Sequence, residues 1–143
     1  MATIEELRAE IERGRTAMRQ AIETAAATWE EARLPGEGEE EVWTPRQTAE
    51  HAIGAETAFA SMASAAIGGE PLERPTHVFE TPEQALAAMP AAASTADAVF
   101  ERVTAEHLGI ETRFGDNLEG VMRIAGSHLR GHARQIMGLG PES

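Results

Sequence analysis

The chain has 143 residues and a net charge of −12, enough length for one domain with one core and the wrong sign for binding phosphate backbones, so nucleic acid is not expected as a partner. No stretch approaches the ~18 apolar residues of a membrane span, and no membrane partner is expected. Cysteine is absent, which excludes disulfides, thiolate ligands and a cysteine nucleophile; any thiol in the chemistry must be a small molecule brought in from outside.

Every basic residue is arginine, and tyrosine is missing as well. A Schiff-base lysine and a tyrosine acid are thereby removed from the candidates. The opening MATIEELRAE lacks the basic-then-apolar layout of a secretory signal, so a cytoplasmic location is expected.

Four elements follow in chain order, each opened by a capping pattern of Ser, Thr or Asp with Glu or Gln three residues on. Thr3 with Glu6 predicts a helix over 4–33, broken by Pro35, Gly36 and Gly38. The acidic run Glu37, Glu39, Glu40 and Glu41 reads as a solvated loop, without the ligand spacing of a calcium loop. Thr44 with Gln47, and Pro45 at the first helical position, predicts a second helix over 45–67. Trp43 just before that cap reads as a hydrophobic staple. Gly68, Gly69, Pro71 and Pro75 end the second helix, and His77 falls in this Pro-rich link.

Thr81 with Gln84, and Pro82 behind the cap, predicts a third helix over 82–107, with Pro90 kinking it or detaching its first turn and His107 at its end. A weak extended signal covers Glu111–Phe114. Asp116 with Glu119 predicts the fourth helix over 117–138, closed by Gly138, Gly140 and Pro141. There is no internal repeat and no second domain, so residues 1–143 read as a single all-α four-helix bundle.

Three histidines fall on interior stripes. His51 shares its helical face with Thr48, Ala55, Ala58 and Met62; His128 and His132 share theirs with Leu118, Val121 and Ala125. Neutral imidazoles bind zinc, nickel, copper and iron, and a pair at i and i+4 can grip one ion. Helix rise then tests whether His51 can join them. At about 1.5 Å per residue His51 stands ~9 Å from the start of helix two, and the His128/His132 pair ~12 Å from the end of helix four. Parallel helices two and four would leave an offset of ~11 Å, antiparallel ones only ~3 Å. One shared ion therefore requires an up-down-down-up topology with a long crossover between helices two and three, which the link from Gly68 to Thr81 can span at ~45 Å extended.

VWTPRQTAEHAIGAE (Val42–Glu56) resembles the start of helix two in the DinB/YfiT-like family, and RFGDNLEGVMRIAGSHLRGHARQI (Arg113–Ile136) resembles its helix four with a His-x3-His-x2-Gln ending. The segments stand in the expected order, and the helix count and length cover nearly the whole chain. The resemblance implies an up-down-down-up bundle, a divalent metal (nickel or zinc) on His51, His128 and His132, and a homodimer. It also implies thiol-dependent relatives, some transferring bacillithiol and some isomerising maleylpyruvate with mycothiol.

The expected function is thus a metal enzyme acting on a small-molecule substrate, of S-transferase or isomerase type, with a low-molecular-weight thiol. The alternatives are a metal-dependent hydrolase and a non-catalytic, stress-related dimeric bundle that binds metal or ligand. No general base is evident: Glu50 points about 100° around the helix from His51, and Glu56 is ambiguous. Gln47 and Thr48, one turn before His51, are candidates to hold its other nitrogen, with Gln47 better assigned to its capping box. Gln135 can orient a ligand or substrate, and Arg130 and Arg134 read as surface charges before carboxylate binders.

Overall fold

A computed structural model describes residues 2–32, 43–113 and 115–139. Among them are four long helices, α1 (Ile4–Thr24), α2 (Pro45–Ala66), α3 (Pro82–Phe100) and α4 (Leu118–Ile136), packed together without any β-strand. The acidic run at 37–41, the glycines and proline around Pro35, and Phe114, Gly140 and Pro141 lie outside the described residues.

The helix starts follow from local chemistry. Thr3 and Thr44 each accept a backbone N–H while Glu6 and Gln47 reach back to the cap nitrogen, so both capping boxes form in full. Thr81 accepts from Gln84 N, but the Gln84 amide oxygen takes the Glu80 N–H at 2.7 Å in place of the cap. At α4 the expected cap is displaced by one residue. Asn117 accepts from Gly120 N at 2.9 Å, while Asp116 holds the Asn117 N–H and Glu119 reaches Ala2 N at 3.1 Å.

The ends of α1 and α3 come earlier than predicted, for tertiary reasons. After Thr24 the chain tightens into a 3-10 turn at Ala26–Thr28, which lets Trp29 sink into the core and donate to the Phe79 carbonyl at 2.9 Å. Past Phe100, Arg8 donates to the Phe100 carbonyl at 2.8 Å, and a separate 3-10 turn (Ala105–His107) is capped by Thr104 and His107. His107 therefore serves a local turn and not the end of α3. Pro90 neither breaks nor detaches α3, which is helical throughout Pro82–Phe100. The extended signal at 111–114 amounts to one isolated bridge between Glu111 and Asn117.

Both α2 and α4 stop in the same way. Gly68 (φ 79°) and Gly138 (φ 75°) adopt left-handed backbone, and the residues after them donate to Ser64 O and Arg134 O. These are Schellman closures, which favour glycine because it has no Cβ to clash.

Two apolar clusters, each drawing on all four helices, form the core. One gathers Leu7, Ile11, Phe59, Phe100, Val121 and Met122; the other gathers Met18, Ile22, Ile53, Met89, Leu129 and Ile136. Fully burying each such side chain contributes roughly 1.5–3 kcal/mol. Between the clusters Arg15 binds Glu56 at 2.6 Å and Asp97 at 2.9 Å, joining α1, α2 and α3 through one guanidinium.

The link between α2 and α3 retraces α2 towards its start. Ser64 Oγ donates to Glu70 O, Ser61 Oγ accepts from Leu72 N, Arg74 donates to the His51 carbonyl, and Glu50 accepts from Phe79 N. This places the 74–79 stretch over the helix turn that bears His51.

Candidate metal centre

His51 stands two turns into α2, and His128 and His132 occupy the last three turns of α4. The structure brings the three together: a ligand nitrogen from each lies within 4.8 Å of the other two. His128 Nε2 is 3.1 Å from His132 Nε2 and 3.3 Å from His51 Nε2. Two donors at about 2.0–2.1 Å from one ion stand about 2.9–3.4 Å apart for angles between octahedral and tetrahedral. Two edges of the triangle already have that length, so this donor set fits a divalent ion such as zinc or nickel.

The surroundings suit cation binding. His132 is 6% exposed, and His51 and His128 are half-buried. Burial, followed by the neighbouring His132 and Arg74, lowers the His51 pKa to about 4. Burial, then His132 and His51, lowers His128 to about 3. Both are therefore neutral near pH 7, the form in which imidazole offers a lone pair. Gln135, fully buried, presents Oε1 at 2.7 Å from His132 Nδ1. With the ring proton drawn to Nδ1, Nε2 keeps its lone pair towards the cluster.

Aromatic rings wall the centre. Trp43 meets His51 edge-on at 5.1 Å and stacks on His132 at 6.1 Å, and Phe59 meets His128 edge-on at 5.3 Å. Trp43, expected as a staple at the start of α2, thus contacts two of the histidines. Sequence reading missed this role and that of Phe59; Phe59 lies two turns beyond His51 on α2, a spacing that could have flagged it.

The other candidates divide cleanly. Gln47 serves its capping box, and the Thr48 hydroxyl donates to Thr44 O at 2.9 Å, so neither holds His51. Glu50 accepts from Phe79 N at 2.7 Å and pairs with Arg46. Glu56 is buried against Arg15 and stands outside the centre. Arg130 pairs with Glu10 at 2.8 Å. His77 stacks on Phe79 at 4.9 Å and shares a small cavity with His51. Arg74 was not singled out from the sequence, yet its Nη2 stands 3.4 Å from His51 Nδ1.

Fold and centre together define an all-helical protein with a three-histidine group able to hold a metal ion. Comparison with protein-family models, curated proteins and solved structures gives no match.

Proposed function

We propose that the chain is a metal-dependent enzyme of the DinB/YfiT-like kind, in which His51, His128 and His132 hold one divalent ion, nickel or zinc. The observation that carries this reading is the approach of three imidazoles, from two helices, to distances suited to one ion. The topology that the reading requires is up-down-down-up. Ala2 beside Glu119 and Glu10 beside Arg130 support parallel α1 and α4. Arg8 beside Phe100 and Arg15 beside Asp97 support antiparallel α1 and α3. The link that retraces α2 supports α2 and α3 running the same way.

When bound, such an ion supplies Lewis-acid activation of a thiol or a water at neutral pH. Three protein ligands leave positions open for a small molecule, as catalytic sites do. Thiol-dependent S-transferase or isomerase chemistry is favoured over hydrolysis, because the carboxylates flanking His51 on α2 are committed elsewhere, Glu50 to Phe79 N and Glu56 to Arg15. The chain has no cysteine, so the thiol is a low-molecular-weight one. Trp43 and Phe59 shield the imidazoles from water, and Gln135 sets the His132 tautomer. The resemblance further suggests a homodimer.

The test is metal analysis of protein purified without a histidine tag, stripped, and then incubated with nickel or zinc. About one ion per chain is expected, lost in His128→Ala. A wild-type protein that takes up neither metal would refute the reading. A fully closed centre without open positions would favour the non-catalytic bundle.

A further inference from the structure

Beyond the histidines along α2 lies a cavity of about 600 Å³, walled by Ala58, Met62, Ala65, Pro71 and Leu72. Ala58 and Met62 continue the helical stripe that carries His51 and Ala55. Arg74 lines this cavity and also the smaller one, about 300 Å³, that contains His51. Its Nη2 donates to the His51 carbonyl at 3.2 Å, so one guanidinium stands between the apolar cavity and the three-histidine centre.

Acidic residues outnumber basic ones by 24 to 12, yet no carboxylate among the described residues pairs with Arg74. Glu111 and Arg113 also line the cavity and their formal charges cancel, so the lining carries one net positive charge. A planar guanidinium takes a carboxylate through two parallel bonds, and apolar walls of this volume suit a compact hydrocarbon body. A second anionic group on the ligand would find Glu111 as well as Arg113, with no net charge to hold it.

We propose that this cavity binds a small amphipathic monocarboxylate, its carboxylate on Arg74 beside the three histidines and its apolar body along Ala58, Met62 and Leu72. The placement of the carboxyl end at a reactive centre rests on the metal-enzyme reading; the preference of the cavity for such a ligand does not.

Octanoate is the probe, with octylammonium as the control of equal tail and opposite charge. Both are titrated calorimetrically into metal-stripped and nickel-incubated protein. Arg74 and Ala65 are exposed, so Arg74→Gln and Ala65→Trp leave the core untouched. Wild type is expected to bind octanoate and not octylammonium, with affinity about tenfold or more weaker in Arg74→Gln and binding lost in Ala65→Trp, where the indole fills the cavity. Absence of octanoate binding, equal binding of octylammonium, or binding indifferent to either substitution overturns the proposal. Nickel uptake is read separately on the same samples: octanoate binding without nickel uptake defeats the metal reading alone, and nickel uptake without octanoate binding defeats the cavity alone.

Discussion

His51 Nε2 and His128 Nε2 face each other at 3.3 Å although 77 positions separate them in the chain. His132 Nε2 lies 3.1 Å from the same His128 atom. Lone pairs turned towards one another repel unless a proton or a cation lies between them. Gln135 draws the His132 proton to the far side of its ring, which leaves fewer protons to share inside the cluster.

Gln135 is therefore expected to control metal affinity without touching the ion. Gln135→Leu keeps the volume of this fully buried side chain and removes its carbonyl. Competition with a chromophoric chelator should show affinity about 10–100-fold weaker. An unchanged affinity would mean that Gln135 only fills space.

The metal-free protein should lose stability as pH falls. In the unfolded chain these imidazoles titrate near 6.5, whereas in the fold His51 titrates near about 4 and His128 near about 3. Between those values the unfolded chain binds more protons than the folded one, so the folded state loses ground with each step down in pH. The contribution is fully present above pH 6.5 and disappears progressively towards the two folded values. Urea midpoints of stripped wild type and His128→Leu across this window provide the check; the variant should show the flatter dependence.

Backbone contact between α1 and α4 sets another expectation. A Cβ on Gly14 would meet Gly126 O at 2.7 Å, and one on Gly126 would meet Glu10 C and O at 3.0 Å. Neither obstacle is a flexible side chain, so Gly14→Ala and Gly126→Ala should each cost about 1–3 kcal/mol. A Cβ on Gly131, in the same helix as Gly126, would meet nothing within 4 Å. Gly131→Ala should instead stabilise by about 0.5–1 kcal/mol. Thermal or denaturant unfolding of the three variants separates the cases, and equal effects at all three would contradict the close-approach argument.

The Arg15–Glu56 pair, 6% and 4% exposed at the side chains, makes a third stability test. Burial raises the Glu56 pKa, and Arg15 works against that rise. Arg15→Met strands the carboxylate and should cost about 3–5 kcal/mol, most of it recovered in Arg15→Met/Glu56→Leu. A double variant no better than the single one would show that packing, and not the uncompensated charge, is responsible.

Much of this architecture is local and could be read from residues a few positions apart. Thr3, Thr44 and Thr81 mark three helix starts because each capping bond closes within its own first turn. The Asp116 cap failed for the same local reason turned around: Asn117 offers an equivalent acceptor one residue later, and Asp116 is spent on the Asn117 N–H. Helical spacing also placed His51, His128 and His132 on inward faces, since a side chain's angle around a helix is fixed by its number. The ends of α1 and α3 escaped because Trp29 and Arg8 decide them through partners at Phe79 and Phe100.

What the amino-acid order determines alone is thus the set of helices, their starts and the three imidazoles as candidate ligands, because capping and periodicity act over one or two turns. Only the tertiary structure decided that those imidazoles meet, that Trp43 and Phe59 enclose them, that Glu56 belongs to Arg15, and that Arg74 reaches His51 from the crossover. Those relationships join segments far apart in the chain, and they exist because two apolar clusters hold four helices and the link over α2 in one arrangement.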